Sequence, residues 1–436
     1  MTLQQIRGHI ENRPMLFWQW MVVAVGVLVN MLDGFDLLAD SLVAPILTRE
    51  WHLEHGILGL LLGASALGTA IGAFALSAIA DLRGRRSAIL INLVLMSIGM
   101  LASATADSVQ MLIALRFLTG MGVGAMAGCV GTLIFEYSAV RSRNLALGLV
   151  VIGYTVGVVI GGYIARAFLG HLSWSALFVL GGALTLVLIP LVYFALPESL
   201  EFLAARPKPD TLPRFNRYLR HLRLPAVEAL PAPLPKAATS SVLDLLRPPI
   251  LSRQALMGAS YFLYMFSSYF FLKWNNQLTT EAGFSDAGGL SISILTNLGG
   301  IAGGVLIGWL SSRLHFRGTA TVTLIAMGVA IAAFGGAASS FAFTVACSML
   351  IGFSIFGAAV VLYAAGTATF PARVRATGMG LSMGAGRGGS FLGPVVAGLL
   401  LQAGLGRLAT CLLLAVPVIA SAFVLRRVPL APLPDE

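Results

Sequence analysis

Residues 56–104 read GILGLLLGASALGTAIGAFALSAIADLRGRRSAILINLVLMSIGMLASA. Two apolar runs flank one short charged turn, Asp81-Leu82-Arg83-Gly84-Arg85-Arg86. Each run has about 20 residues, enough to cross ~30 Å of hydrocarbon as a helix whose backbone polar groups are all bonded internally. The stretch therefore predicts a hairpin that crosses a bilayer and returns, with its charged turn in water.

Runs of the same kind recur along the whole chain. The sequence predicts helices at 17–46, 56–80, 86–104, 109–138, 144–168 and 173–195, then at 251–282, 288–311, 317–337, 341–369, 375–403 and 407–426. The expected architecture is an all-α membrane protein of twelve transmembrane helices. Its expected units are a six-helix bundle at 1–196, a hydrophilic linker at 197–250 and a second six-helix bundle at 251–436. Composition agrees. Of 436 residues 57% are hydrophobic and only 11% charged, against about 25% charged in an ordinary soluble domain.

The net charge of +10 would raise the question of nucleic acid in a soluble protein. The positions of the charges give another answer. Of 28 Lys and Arg, 22 fall in the termini and alternate loops, whereas Arg49, Arg166 and Arg407 lie in or beside the other loops. That bias is the positive-inside pattern, and it places both termini in the cytoplasm. Arg116, Lys273 and Arg387 are the remaining three, and they sit inside apolar segments. No nucleic-acid partner is expected. Cys129, Cys347 and Cys411 lie in apolar segments without repeated spacing or a neighbouring His, so neither disulfides, a metal site nor a cofactor is expected. Residues 1–14 carry Arg7, Glu11 and Arg13 and are not followed by a short apolar run with a small-residue cleavage site, so no cleaved signal peptide is expected.

Within the linker, Leu212–Leu224 has helical amphipathicity. Leu212, Phe215, Leu219 and Leu222 share one face, and Arg214, Arg217, Arg220, His221 and Arg223 the other. Two readings stand: a helix lying on the inner leaflet with Arg toward anionic headgroups, or a linker helix that touches only the rest of the protein. The two halves also look duplicated. A shift of 232 residues places Arg85, Arg141, Arg143, Gly148, Gly157 and Gly161 onto Arg317, Arg373, Arg375, Gly380, Gly389 and Gly393. Parallel six-helix repeats of this kind put a substrate site between the halves, near the midplane.

The turn quoted above, read as Ser77-Ala-Ile-Ala-Asp81-Leu-Arg83-Gly84-Arg85-Arg86, resembles the major-facilitator signature G-x-x-x-D-R-x-G-R-R. Ser77 replaces its first Gly and Leu82 its first basic residue. In that family the loop latches the cytoplasmic gate, so the resemblance assigns gating to Asp81, Arg85 and Arg86. Simple anchoring of the loop would explain the arginines but not Asp81. Glu136, with Arg141 and Arg143 after it, is expected to join that gate network. Leu196-Pro197-Glu198-Ser199 closes the first half as in many family members.

The first helix carries Asn30-Met-Leu-Asp33-Gly34-Phe35-Asp36-Leu-Leu-Ala-Asp40. Asp33, Asp36 and Asp40 lie at i, i+3 and i+7, within about 60° of one helix face. Clustered carboxylates repel and readily share a proton, as a proton carrier must. The D-G-F-D core resembles the first-helix signature of the aromatic acid:proton symporters. Asp40 falls outside that pattern, where an apolar or small residue is usual. The eleventh helix agrees: Phe370-Pro371-Ala372-Arg373-Val374-Arg375-Ala376-Thr377-Gly378, then Gly384-Ala-Gly386-Arg387-Gly388-Gly389, resembles the family's Y-P-x-x-x-R-A-T-G loop followed by G-x-G-R-x-G.

Arg387 lies about a dozen residues into its helix, and its guanidinium can take a carboxylate bidentately. The competing reading is permanent pairing with a first-helix Asp. Arg116 opens a run of small residues, Gly120, Gly122, Gly124 and Gly128, that suits close helix packing. As an intramembrane charge it is itself a functional candidate. The seventh helix is rich in aromatics, and Tyr269, Lys273 and Asn276 are its candidates for substrate contact. The fifth helix, with Gly153-Tyr-Thr-Val-Gly157, lacks the Pro typical of antiporters in this superfamily, which favours uptake.

Together these resemblances imply a non-enzymatic, proton-coupled symporter of an aromatic carboxylate. It would reside in a bacterial inner membrane, act as a monomer, and have an organic anion, protons and the lipid bilayer as its partners. The alternatives are a transporter of a non-aromatic organic acid or of a zwitterion recruited by Asp40, a drug:proton antiporter, and a sensor signalling through the linker. The linker is too short for a folded output domain, which disfavours the last.

Overall fold

A computed structural model describes residues 1–168, 173–233, 245, 248, 250–314, 316–337, 340–371 and 374–429. Arg373 of the second-half loop lies outside the described residues. Sixteen helices account for the ordered backbone among the rest. In the first half they are α1 (Leu3–Asn12), α2 (Phe17–Glu50), α3 (His55–Ala75), α4 (Ser77–Arg83), α5 (Arg85–Ser103), α6 (Val109–Tyr137), α7 (Val140–Phe168) and α8 (Ser175–Ala195). The linker holds α9 (Leu200–Ala205) and α10 (Thr211–His221). The second half has α11 (Ile250–Glu281), α12 (Asp286–Arg313), α13 (Phe316–Gly336), α14 (Phe341–Thr369), α15 (Arg375–Gln402) and α16 (Arg407–Arg426).

Eleven of these are long and apolar enough to cross a membrane. The twelfth spanning helix, α15, has the length, but Arg375, Arg387 and its many Gly and Ser residues lower its hydropathy. Large apolar side chains such as Phe74, Val187, Phe194 and Val322 remain on the outer surface, which suits lipid as the surrounding solvent.

The helix pairings of the first half recur in the second. Helix α2 packs on α7, α3 on α6, and α5 on both α6 and α8. Correspondingly, α11 packs on α15, α12 on α14, and α13 on both α14 and α16. The halves meet through α3 against α15, α7 against α12, and α2 against α11. These contacts obey the same exchange of halves, as a parallel repeat requires.

The duplicated glycines explain why. A Cβ at Gly157 of α7 would collide with the Met31 carbonyl of α2, and a Cβ at its counterpart Gly389 of α15 would collide with the Phe262 carbonyl of α11. Only Gly lets two backbones approach that closely where lipid offers no hydrophobic drive between helices.

Three boundaries differ from expectation by four or five residues, one of them the start of α7 at Val140 rather than at 144. The first spanning helix runs through Pro45 to Glu50 rather than ending at 46. The second ends at Ala75, and the motif residues form the separate short helix α4. Gly84, at φ +97°, then turns the chain into α5.

The linker helix also departs from one of its two readings. Phe215, Leu219 and Leu222 of its apolar face are buried in the protein, and Trp18 stacks on Tyr218 and His221 at ring distances of 6.4 and 5.1 Å. An apolar face buried by its own chain is not free to lie in a leaflet. Helix α1 docks beside it, burying Leu3, Ile6 and Ile10 and pairing Glu11 with Arg143 at 3.0 Å. That hydrogen bond from Arg143 holds the Glu11 carboxyl below the usual carboxylate range.

Candidate functional site

The fifth and sixth turns of α2 face a cavity of about 190 Å³ between the halves. Helices α2, α3, α6 and α7 supply one side of it, and α11 and α15 the other. Its polar lining includes Asp33, Asp36, Ser65, Thr69, Tyr154, Tyr269, Lys273 and Arg387. A cavity of about 150 Å³ can hold a benzene ring, so this one has room for a single substituted ring.

The three intramembrane cations are in different circumstances. Arg116 of α6 is fully buried and bridges two acids of α2, with Nη2 2.6 Å from Asp36 Oδ1 and Nε 2.6 Å from Asp40 Oδ1. Its guanidinium also lies over the Phe178 ring, 5.1 Å from the centroid. Lys273 of α11, likewise buried, donates to Asp40 Oδ2 at 2.6 Å and to Ser65 Oγ at 3.1 Å, while Ser65 donates to Asp40 at 2.9 Å. Lys273 thereby ties the second half to the first through Asp40.

Arg387 of α15 is partly exposed to the cavity and has no ion pair among the described residues. Asp33 likewise has no ion pair within 4.0 Å there. The cavity thus presents one unpaired base and one unpaired acid, beside a closed network in which each charge is matched. A buried charge with a hydrogen-bonded partner is tolerated, and one without is costly unless water or a ligand reaches it.

The sequence-derived candidates therefore separate. Asp33, Asp36, Tyr269, Lys273 and Arg387 line the cavity. Arg116 does not line it and lies behind the acids, held by both. Asn276 is not brought to it either. Its amide donates to Ser41 Oγ at 2.9 Å and accepts from Ser293 Oγ at 3.2 Å, in a buried polar cluster linking α2, α11 and α12. It shares a helix face with Tyr269 but lies seven residues further along, about 10 Å away at 1.5 Å per residue.

Sequence reasoning missed Ser65, Thr69 and Tyr154. Apart from His55, Ser65 and Thr69 are the polar side chains of α3 and lie one turn apart. Tyr154 sits between the glycines that bring α7 against α2. Both were visible signals.

The motif loop forms a second cluster at the end where the termini lie. Arg85 pairs with Glu136 at 2.9 Å and donates to Ser199 Oγ at 2.6 Å. The backbone N–H of Arg86 donates to Glu198 at 3.1 Å, its guanidinium donates to the Tyr193 carbonyl, and Tyr137 donates to the Glu198 carbonyl at 2.7 Å. Asp81 and Arg141 do not join this cluster. Both are exposed and make no ion pair among the described residues, and Arg143 reaches Glu11 instead. At the opposite end the halves are tied directly, by Arg49 to Asp286 at 2.6 Å, His55 to Glu281 at 3.0 Å and Gln402 to Glu54 at 2.7 Å.

Twelve spanning helices in two pseudo-symmetric sets of six, closed around a charged midplane cavity, define a membrane transporter. Residues 26–394 match the Major Facilitator Superfamily, and the chain belongs to it. It is 30% identical over 431 residues to the gallate transporter of Pseudomonas putida, covering 96% of this chain and 94% of that one. It is 28% identical to the 4-hydroxybenzoate transporter PcaK of Pseudomonas aeruginosa, covering 92% and 90%. Its fold is similar to the partially occluded inward-open conformation of the xylose transporter XylE from E. coli, with a TM-score of 0.72 at 16% identity over 94% of this chain and 98% of that one.

Proposed function

We propose that this chain imports an aromatic carboxylate together with protons, by alternating access, across a bacterial inner membrane. The observation that carries the reading is Arg387, a midplane guanidinium facing the cavity without an ion pair and beside Tyr269. An anion entering there supplies the partner that Arg387 lacks, and a guanidinium fork matches a carboxylate in two parallel hydrogen bonds. Tyr154 and Tyr269 offer ring faces and hydroxyls to an aromatic body and its substituents. The relatives named for gallate and 4-hydroxybenzoate point to the same substrate class.

Asp33 is the acid best placed to carry the proton, because it lines the cavity and makes no ion pair among the described residues. Asp36 and Asp40 form the reserve behind it, clamped by Arg116. The site itself holds three acids and three cations, so one proton on the acids and one carboxylate on Arg387 enter together without changing the midplane charge, and passage of that proton to Asp40 frees Lys273. The bundles at 1–196 and 251–436 then rock about the cavity, with 197–250 joining them. The ties at the end remote from the termini, together with Asp81 and Arg141 making no ion pair among the described residues, fit a state closed on that side. Asp81 and Arg141 would join the cluster of Arg85, Arg86 and Glu136 to close the other. The positive-inside pattern makes the terminus side cytoplasmic. One chain builds the whole cavity, which supports a monomer as the working unit.

A zwitterionic substrate held by Asp40 is disfavoured, because Arg116, Lys273 and Ser65 already occupy that carboxylate. The test is thermal stabilisation of the purified protein by benzoates, hydroxybenzoates, phenylpropionates, aliphatic acids and amino acids. Stabilisation by the aromatic acids alone is expected. Stabilisation by aliphatic acids and not by aromatic ones would overturn the substrate class.

A further inference from the structure

A second charged cleft lies outside the transport pathway. It is an open cavity of about 700 Å³ between the linker helix α10 and the terminus-side ends of α5 and α8. Because the apolar face of α10 is buried by its own chain, its basic face is left over. Arg214, Arg217 and His221 stand at i, i+3 and i+7 on that face and line the cleft, opposite Arg86 of α5. One acid, Asp210, also lines it and pairs with Arg214 at 3.4 Å. That pair is exposed and one turn apart, so it is a weak competitor. Among the described residues that line it, the cleft keeps an excess of positive charge over the single acid Asp210.

The walls are aromatic and apolar. Trp18 and Tyr193 line the cleft, and the guanidinium of Arg86 lies 4.7 Å from the Tyr193 ring centroid. Tyr and Trp concentrate where a membrane protein passes from hydrocarbon to headgroups. From the cleft an apolar surface continues along the packed pair α5 and α8. Leu90 lines the cleft, and one and two turns above it Val94 and Ile98 are exposed at 42% and 54%. On α8, Val187 at 70%, Leu191 at 43% and Phe194 at 83% continue the same surface. A free phosphate would use the arginines but has no use for the apolar surface. A molecule with an anionic head and two long apolar chains uses both.

We propose that this cleft holds the phosphate headgroup of an anionic phospholipid from the terminus-side leaflet, with its acyl chains along the exposed apolar surface of α5 and α8. Basic pockets between spanning helices and juxtamembrane basic clusters recognise such headgroups. The lipid would bind between the linker helix and the loop carrying Arg85 and Arg86, bracing α10 against the first half.

The test is native mass spectrometry of the delipidated protein with phosphatidylglycerol, with phosphatidylcholine of the same acyl chains, and with inorganic phosphate, supported by thermal stability in each. Phosphatidylglycerol is expected to bind at least tenfold more tightly than phosphatidylcholine and to raise the unfolding temperature, and phosphate at the same concentration to do neither. The double variant R214Q/R217Q is expected to lose that tenfold preference while unfolding at the wild-type temperature in phosphatidylcholine. Equal binding of the two lipids by wild type would overturn the proposal without recourse to any variant. Phosphate matching phosphatidylglycerol would show a free-anion site and overturn the lipid assignment. An undiminished preference in a folded double variant would place the headgroup elsewhere.

Discussion

Arg116 and Arg387 are the same residue type, each inside a glycine-rich spanning helix and each within reach of the acids of α2, yet their surroundings are opposite. Arg116 is fully buried and binds two carboxylates at 2.6 Å. Arg387 lines the cavity with no ion pair among the described residues. The comparison teaches that an intramembrane charge can be structural or functional depending on whether the protein itself supplies its counter-ion. One cation holds the charged layer together, and the other is, in the function proposed above, the charge that an incoming anion completes.

The largest effect should follow from attacking the closed side. Arg116→Ala leaves Asp36 without its cation and Asp40 with only Lys273, and breaking a buried pair typically costs about 3–5 kcal/mol. The variant should unfold at a much lower temperature or fail to accumulate, whereas Arg387→Ala should unfold close to wild type. Similar losses in both would erase the distinction drawn here.

The acids offer a finer version of the same contrast. Asp33→Asn should abolish proton-driven accumulation with little loss of thermal stability, because Asp33 has no ion pair to lose. Asp36→Asn should also abolish accumulation but should lower stability as well, since Arg116 then keeps only Asp40. An unaltered uptake gradient in Asp33→Asn would remove it as the carrier.

A smaller effect is expected far from the cavity. Glu11, whose carboxyl is held below its usual range by Arg143, contributes stability that is fully present above the ordinary glutamate value of about 4.3. It is lost as pH falls through the lowered folded value. Glu11→Gln should therefore cost less than about 1 kcal/mol at pH 7, with the difference from wild type vanishing in acid. A difference that persists at low pH would mean that the pair does not anchor α1.

Much of the fold was legible because lipid imposes a simple rule: apolar length makes a span, and charge marks a loop. The duplicated glycines were legible too, and Gly157 and Gly389 perform the same task in the two halves. What the sequence could not separate was Arg116 from Arg387, since their partners lie on other helices. Arg116 meets Asp36 across 80 residues and Lys273 meets Asp40 across 233, and helical periodicity says nothing about such distant pairs. The sequence likewise offered Asn276 as a substrate contact beside Tyr269 but gave no measure of its depth along α11. The break at Leu76 was hidden for a related reason, because a spanning run and the short helix after it share one apolar pattern.

The central claim is that Arg387 takes the carboxylate of the substrate. The direct measurement compares binding of an aromatic acid and of its neutral methyl ester to wild type, Arg387→Ala and Arg387→Lys. A hydrogen bond to a charged group contributes about 1.5–3 kcal/mol, so Arg387→Ala should weaken acid binding at least tenfold. Arg387→Lys, which keeps the charge and loses the planar fork, should recover only part of that. Wild type should discriminate acid from ester and Arg387→Ala should not. Equal discrimination by the two proteins would contradict the claim and place the anion elsewhere, with Lys273 the next cation on the cavity wall.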